Sequence, residues 1–251
     1  MPLGAPAPPH APLAAPTTTS TAASTSTSGD VVPPADPQSR LPAALAVLGA
    51  VMLELALPDS VSPGPRWLLP VIGIGLLAPT VASHRLGRVR LNQQLGFALL
   101  VVLTAGLLAT LGLLVQATAE HSERPLPLLG SALALWTSNV LVFASWYWRL
   151  DAGGPHARDT RAGAGQRFHG SAFLFPQLTL PDDAPTAADQ HPARWRPGFV
   201  DYLFVAFNTS TAFSPTDAPV LARWAKVLMM LQASISLATL AVLAARAVNI
   251  L

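Results

Sequence analysis

Of 251 residues, 51% are hydrophobic and 11% charged, against roughly 25% charged in an ordinary soluble domain, so the composition excludes a water-soluble fold and places the chain in a bilayer. The 15 Lys plus Arg exceed the 13 Asp plus Glu by a net charge of only +2, and arginines gather at the ends of apolar segments with no basic, aromatic-laced face, which excludes nucleic acid as a partner. Cysteine is absent, removing disulfides, thiolate metal sites and thiol nucleophiles together.

Residues 1–38 are a Pro, Ala, Ser and Thr tract with no charged start, apolar core or small-residue cleavage site. Such a segment buries too little apolar surface to offset its ordering entropy and is expected to be a disordered tail. A spanning helix needs about 20 predominantly apolar residues. Five segments meet or approach that length: Leu41 to Leu57, Trp67 to Ser83, Leu95 to Ala117, Leu126 to Trp148 and Val220 to Val248. Pro58-Asp-Ser-Val-Ser-Pro-Gly-Pro65 cannot continue a helix, so the first two form a hairpin. A sixth candidate, Phe199 to Phe213, is barely long enough to cross and contains Asn208, Thr209, Ser210 and Thr211 in succession. The expected fold is therefore all-α: a polytopic bundle of about six transmembrane helices, the fifth short and polar or re-entrant. It divides into the tail (1–38), a four-helix membrane region (39–150), a loop (151–197) and a C-terminal polar half-helix with a long transmembrane helix (198–251).

Basic residues in short loops are retained on the cytoplasmic side. Arg85, Arg88 and Arg90 follow the second segment, and Arg149, Arg158, Arg161 and Arg167 follow the fourth, whereas the loop between the third and fourth holds Glu120, Glu123 and Arg124. This alternation predicts a cytoplasmic N-terminus, cytoplasmic loops 84–93 and 149–197, and, with six crossings, both termini cytoplasmic. Trp146, Tyr147 and Trp148 read as an interfacial aromatic belt. Phe173 to Pro176 is too short to span and too apolar for a free linker, so it should lie on the membrane surface or against the bundle.

The candidate polar path consists of Asp201, Asn208, Thr209, Ser210, Thr211, Asp217 and Arg223. The run 208–211 would be unsatisfied in lipid and must face protein or water. Asp201 suits a helix N-terminus as well as a site. Arg223 and Lys226 share one face of the last helix, either pairing with Asp217 at the interface or lining a vestibule. Glu54 and Asn139 are secondary candidates. Ionisable groups in membranes are functional hypotheses by default, but Glu54 is near enough to Pro58 to reach the interface. Asn139 needs a partner on a neighbouring helix, as does Gln232. None of the six histidines has a second histidine at i+3 or i+4. No nucleophile elbow, phosphate loop or dinucleotide fingerprint occurs, so neither an enzyme nor a cofactor is expected.

Asp201-Tyr-Leu-Phe through Thr211-Ala-Phe-Ser-Pro215 to Val248-Asn-Ile-Leu251, with Trp146-Tyr-Trp-Arg-Leu-Asp-Ala-Gly-Gly-Pro155 and Phe173-Leu-Phe-Pro-Gln177, resembles an uncharacterised family of small bacterial integral membrane proteins. The resemblance covers roughly the C-terminal hundred residues and implies a multi-pass protein of the bacterial cytoplasmic (inner) membrane, with no established activity. Where that family often has an acid after the aromatic triplet, this chain has Arg149. More distantly, the same ending is similar to the pore module of two-helix potassium channels: a pore helix, a Thr-rich break, then an inner helix. Such channels use a glycine-containing filter of backbone carbonyls, where this chain has Thr211-Ala-Phe-Ser-Pro215.

The expected function is that of an integral membrane protein translocating a small solute or ion along the polar path. The alternative is a non-transporting scaffold or assembly partner; a degenerate channel-like pore ranks below both. The expected partners are the lipid bilayer and further copies of the chain.

Overall fold

The computed structural model describes residues 38–119, 125–163, 170–181, 195–211 and 218–248; the tail expected to be disordered lies outside them except for Gln38. The fold is all-α. Among the described residues there is no strand, only an isolated antiparallel bridge between Phe173 and Val220. In chain order the helices are α1 (Leu41–Leu55), α2 (Leu68–Arg85), α3 (Val89–Ala119), α4 (Pro125–Leu150), α5 (Gly154–Gly163), α6 (Phe199–Thr211) and α7 (Arg223–Val248). Four of them, α2, α3, α4 and α7, are long and apolar enough to cross a membrane. α1 is apolar but has 15 residues, and α6 has 13.

Local chemistry explains the breaks. Pro58 is extended at ψ 151° and closes α1, and the 58–67 turn delivers the chain into α2 antiparallel to α1, as the prolines predict. α2 ends in a six-to-one turn: the Arg88 N–H reaches the Ser83 carbonyl and the Gly87 N–H the His84 carbonyl, with Gly87 at φ +68°. This is the Schellman arrangement, in which a residue without Cβ takes the left-handed position. At the end of α4, Ala152, Gly153 and Gly154 all have positive φ. A Cβ on Gly154 would sit 2.7 Å from the Arg149 carbonyl oxygen, so the Gly-Gly pair is what lets α4 fold back into α5.

α4 is the central element. Its apolar window is 67% buried, against 22% in α2 and 28% in α7. One side of α4 packs on α6 and α7 through Leu135, Phe143, Tyr147, Val205 and Ile235; the other packs on α1 and α3 through Val142, Val47, Leu99 and Leu103. The bundle thus has two sides about one central helix, with α3 also meeting α7 and α1 meeting α6 directly.

Contacts fix the direction of each helix. Arg40, just before α1, lies 5.4 Å from the Trp148 ring near the end of α4, and Arg149 packs on Gly96 near the start of α3. The start of α1, the end of α2, the start of α3 and the end of α4 therefore lie together, at what is called below the basic end. α6 also begins there, since Phe199 meets Trp148 at 6.0 Å. So does α7: Trp224 touches Phe173 at 6.3 Å, and Phe173 touches Tyr202 at 6.1 Å. Further along, Ser210 of α6 bonds Gln232 and Ser236 of α7. From residue 202 to 210 α6 advances about 12 Å at 1.5 Å per residue, while its partners on α7 advance in the same sense. α6 and α7 run parallel. α6 stops partway through the bundle, and the chain is back at the basic end by Val220.

Candidate functional site

Two buried polar clusters are stacked along α6. The first is a latch at its base. Asp151 is wholly buried; its carboxylate accepts the Tyr202 hydroxyl at 2.6 Å, the Ser171 hydroxyl at 2.8 Å and the Ala172 N–H. Arg158, 2% exposed, donates to the Trp148 carbonyl at 2.9 Å and to the Asp151 carbonyl at 2.8 Å. Its guanidinium also stacks over the Tyr202 ring at 5.3 Å. A buried charge survives only when it is hydrogen-bonded, and the bonds of these two residues tie α4, α5, segment 171–172 and α6 at one point. Asp159 adds an outer layer by bonding Arg196 at 3.2 Å, the Gln38 N–H at 3.0 Å and Arg40. Burial pulls the Arg40 guanidinium below the usual arginine range; Asp159 raises it, and Arg158 and Arg196 oppose that. Beside the latch, Ala152, Arg161, Ser171, Leu221 and Trp224 line a cavity of about 560 Å³.

The second cluster is deeper, where α4, α6 and α7 meet. Gln232, with no exposed surface, donates to the Ala206 carbonyl at 2.7 Å and to the Ser210 hydroxyl oxygen at 2.8 Å, and accepts the Tyr147 hydroxyl. Asn139 donates to the Gln232 carbonyl at 3.1 Å and to Ser210 Oγ at 3.4 Å. Ser236 and the Trp136 indole donate to the Ser210 carbonyl. That carbonyl belongs to the last turn of α6, which has no intrahelical partner of its own; other helices cap it. Phe173 separates the two clusters, touching Tyr147 at 5.3 Å on one side and Tyr202 on the other. The Phe173–Pro176 segment lies against the bundle.

The residues predicted from sequence are placed unequally. Ser210 and Asn139 meet in the deep cluster. Asp201 is at the third position of α6 and accepts the Gly198 N–H at 2.7 Å, the return half of a capping box. Thr209 is buried and bonds its own helix at the Val205 carbonyl, and Thr211 bonds the Asn208 carbonyl at 3.0 Å. Asn208 is half-buried, Arg223 is exposed, and Asp217 lies outside the described residues. Glu54 is buried on α1, with Oε2 unpartnered, in the half that α6 does not enter. Asp151, Tyr202, Ser171 and Ser236 complete the clusters with no sequence signal beyond Asp151 ahead of a Gly-Gly-Pro reversal, whereas Arg158 and Tyr147, read as a topology signal and as part of an interfacial belt, are buried within the bundle. No group of three metal-ligating side chains occurs among the described residues. Compared with family models, with curated proteins and with solved structures, the chain matches none of them.

Proposed function

We propose that the chain is a multi-pass membrane protein that translocates a small cation or solute, built on a half-helix that re-enters the membrane. The observation that carries this is the parallel pair α6 and α7. Both start at the basic end, and α6 stops at the depth of Gln232, about 14 Å into α7. α4, α6 and α7 then follow the order of outer helix, half-helix and inner helix of the pore module that the ending resembles. A half-helix ending inside the bilayer presents the negative end of its dipole there, together with carbonyls that coordinate cations in transporters built on broken helices. Because α4 and α7 close around Ser210 within one copy, the path runs along the Asn208 and Thr211 side of α6 and requires further copies.

Topology follows from the same arrangement. α1, α2, α3, α4 and α7 are five crossings. Arg40, Arg85, Arg88, Arg149, Arg158 and Arg196 gather at one end, which the basic-residue rule makes cytoplasmic. On this proposal α1 starts on the cytoplasmic side and α7 ends on the opposite one, where six crossings would put both on one side. Single cysteines at Thr186 and Asp217, free of background in this chain, should both resist an impermeant thiol reagent in intact cells and both react after permeabilisation. Labelling of residue 217 alone in intact cells would make α6 a crossing helix and remove the basis of the proposal.

The function is tested with the full chain in vesicles, measuring potassium, sodium and uncharged-solute flux. Combined alanine replacement of Asn208, Thr209 and Thr211 should reduce flux at least tenfold; unchanged flux refutes the path. The scaffold reading draws on one observation, that the deep cluster joins α4, α6 and α7 by buried hydrogen bonds. It prevails if wild-type vesicles pass none of these solutes.

A further inference from the structure

In the other half of the bundle, α1, α2, α3 and α4 leave a cavity of about 470 Å³ at the basic end, within the range of about 300–1,000 Å³ typical of ligand sites. Its lining is divided by depth. Arg40, His84, Arg85, Arg149 and His156 stand at helix ends around the mouth. Val47, Leu77, Val81 and Leu99 form the apolar wall, up to about 15 Å further along their helices. No carboxylate lines the cavity.

The cationic mouth carries more donors than the protein satisfies. Arg149 has no carboxylate within ion-pair reach among the described residues, and its hydrogen bond to the Asn92 carbonyl is long, 3.5 Å. Arg40 uses Nη2 on Asp159, while its Nη1 is buried without a partner. The indole N–H of Trp148, another lining residue, is also buried and unpartnered. The guanidinium carbons of Arg40 and Arg149 lie 5.4 and 6.0 Å from the Trp148 ring centre, a distance at which the ring's face attracts them and holds two like charges together. Such unsatisfied donors are costly, and what they lack is an anion with several acceptor oxygens.

We propose that this cavity binds an anionic phospholipid of the leaflet at the basic end. The phosphate would sit among Arg40, Arg85 and Arg149, and an acyl chain would lie along Leu77 and Leu99. Charge complementarity argues for the anionic headgroup, since basic pockets between transmembrane helices on the cytoplasmic side suit such groups. The apolar wall argues for a lipid over free phosphate. This inference is independent of the translocation proposal, because α6 does not line the cavity.

The test is equilibrium binding to the full chain in neutral detergent, with short-chain phosphatidylglycerol, matched phosphatidylcholine and inorganic phosphate. Saturable phosphatidylglycerol binding is expected, at least tenfold tighter than phosphatidylcholine, with phosphate a poor competitor. Arg85→Gln and Arg149→Gln should each weaken it about fivefold, and Arg223→Gln, at an exposed cation outside the cavity, should leave it unchanged. Because Arg149 packs on Gly96, Leu77→Trp supplies a second probe: it fills the apolar wall, keeps every cation, and should abolish lipid binding without lowering the melting temperature. Equal affinity for the two lipids, or arginine variants that bind like wild type, overturns the proposal. Displacement of the lipid by phosphate at equal concentration, with Leu77→Trp still binding phosphate, makes the site one for a free anion instead.

Discussion

The two sides of α4 satisfy their buried polar groups to different degrees. Around α6 and α7, Asp151, Arg158, Gln232 and Ser210 lie at or near zero exposure and each has partners on other elements, while Oδ1 of Asn139 in the deep cluster has none. Around α1, α2 and α3, the buried nitrogens of Arg40 and Trp148 and the Oε2 of Glu54 have none. Low dielectric strengthens a satisfied network and penalises an unsatisfied one. The first half is therefore built to hold a fixed shape, including a half-helix stopped in mid-bundle, whereas the second is built around groups that something outside the chain completes.

The largest effect that would break this contrast is at the latch. Asp151→Leu removes the buried acceptor for the Tyr202 and Ser171 hydroxyls and the Ala172 N–H and leaves those donors unpaired. A buried donor left without its acceptor costs about 1–3 kcal/mol, and three are left here. Thermal unfolding of the full chain in detergent should fall accordingly, whereas Glu54→Gln, at an unpartnered group, should change it far less. If the two variants melt alike, the difference between the halves is not energetic. Next comes Gly154→Ala. Its Cβ would lie 2.7 Å from the Arg149 carbonyl at φ +86°, and forcing a side chain into such a conformation costs about 1–3 kcal/mol. Because the same turn orients Asp151, this variant should also loosen Tyr202, seen as faster proteolysis between α5 and α6.

Composition and proline placement made the all-α membrane fold, the α1–α2 hairpin and the seat of Phe173 legible in the sequence. The direction of α6 was not, since thirteen half-polar residues permit both a short crossing and a return. What decides between them is the pairing of Val220 with Phe173, some 47 residues away along the chain, and periodicity carries no information on such contacts. The site was read in part. Ser210 and Asn139 stand out because an amide or hydroxyl at membrane depth needs a partner. Asp151 and Arg158 looked like ordinary loop charges, since their burial depends on the three consecutive positive-φ residues that fold α5 back over α4. Arg85 and Arg149 were counted only as topology signals; their convergence on one cavity appears once α2 and α4 are known to end side by side.

A smaller effect tests the deep cluster. Gln232→Leu removes the donor to Ser210 and Ala206 and the acceptor of Tyr147. Hydrogen bonds between membrane helices average about 0.6 kcal/mol and reach about 1.7, so a loss near the upper value is expected. If Ser210→Ala is nearly neutral when added to the Gln232→Leu variant, the two groups act as one network. If the losses add, the cluster is a set of separate contacts, with the Ser210 carbonyl still held by Ser236 and Trp136.

The smallest expected effect sits on the seam between the halves. The Trp146 indole on α4 donates to Thr104 Oγ1 on α3 at 2.9 Å, and its ring stacks on Phe97 at 6.0 Å. Thr104→Val keeps the side-chain shape and leaves the stacking intact while removing the acceptor, so stability should fall by about 0.6 kcal/mol, the average for such bonds. Because this contact belongs to the α1–α3 side, the substitution should leave cation flux unchanged, and it should not alter phosphatidylglycerol affinity, since neither Thr104 nor Trp146 lines the cavity. A change in flux of more than twofold would mean that strain at α3 passes through α4 to α6, making α4 a coupling element between a lipid site and a pore rather than a wall dividing two independent halves.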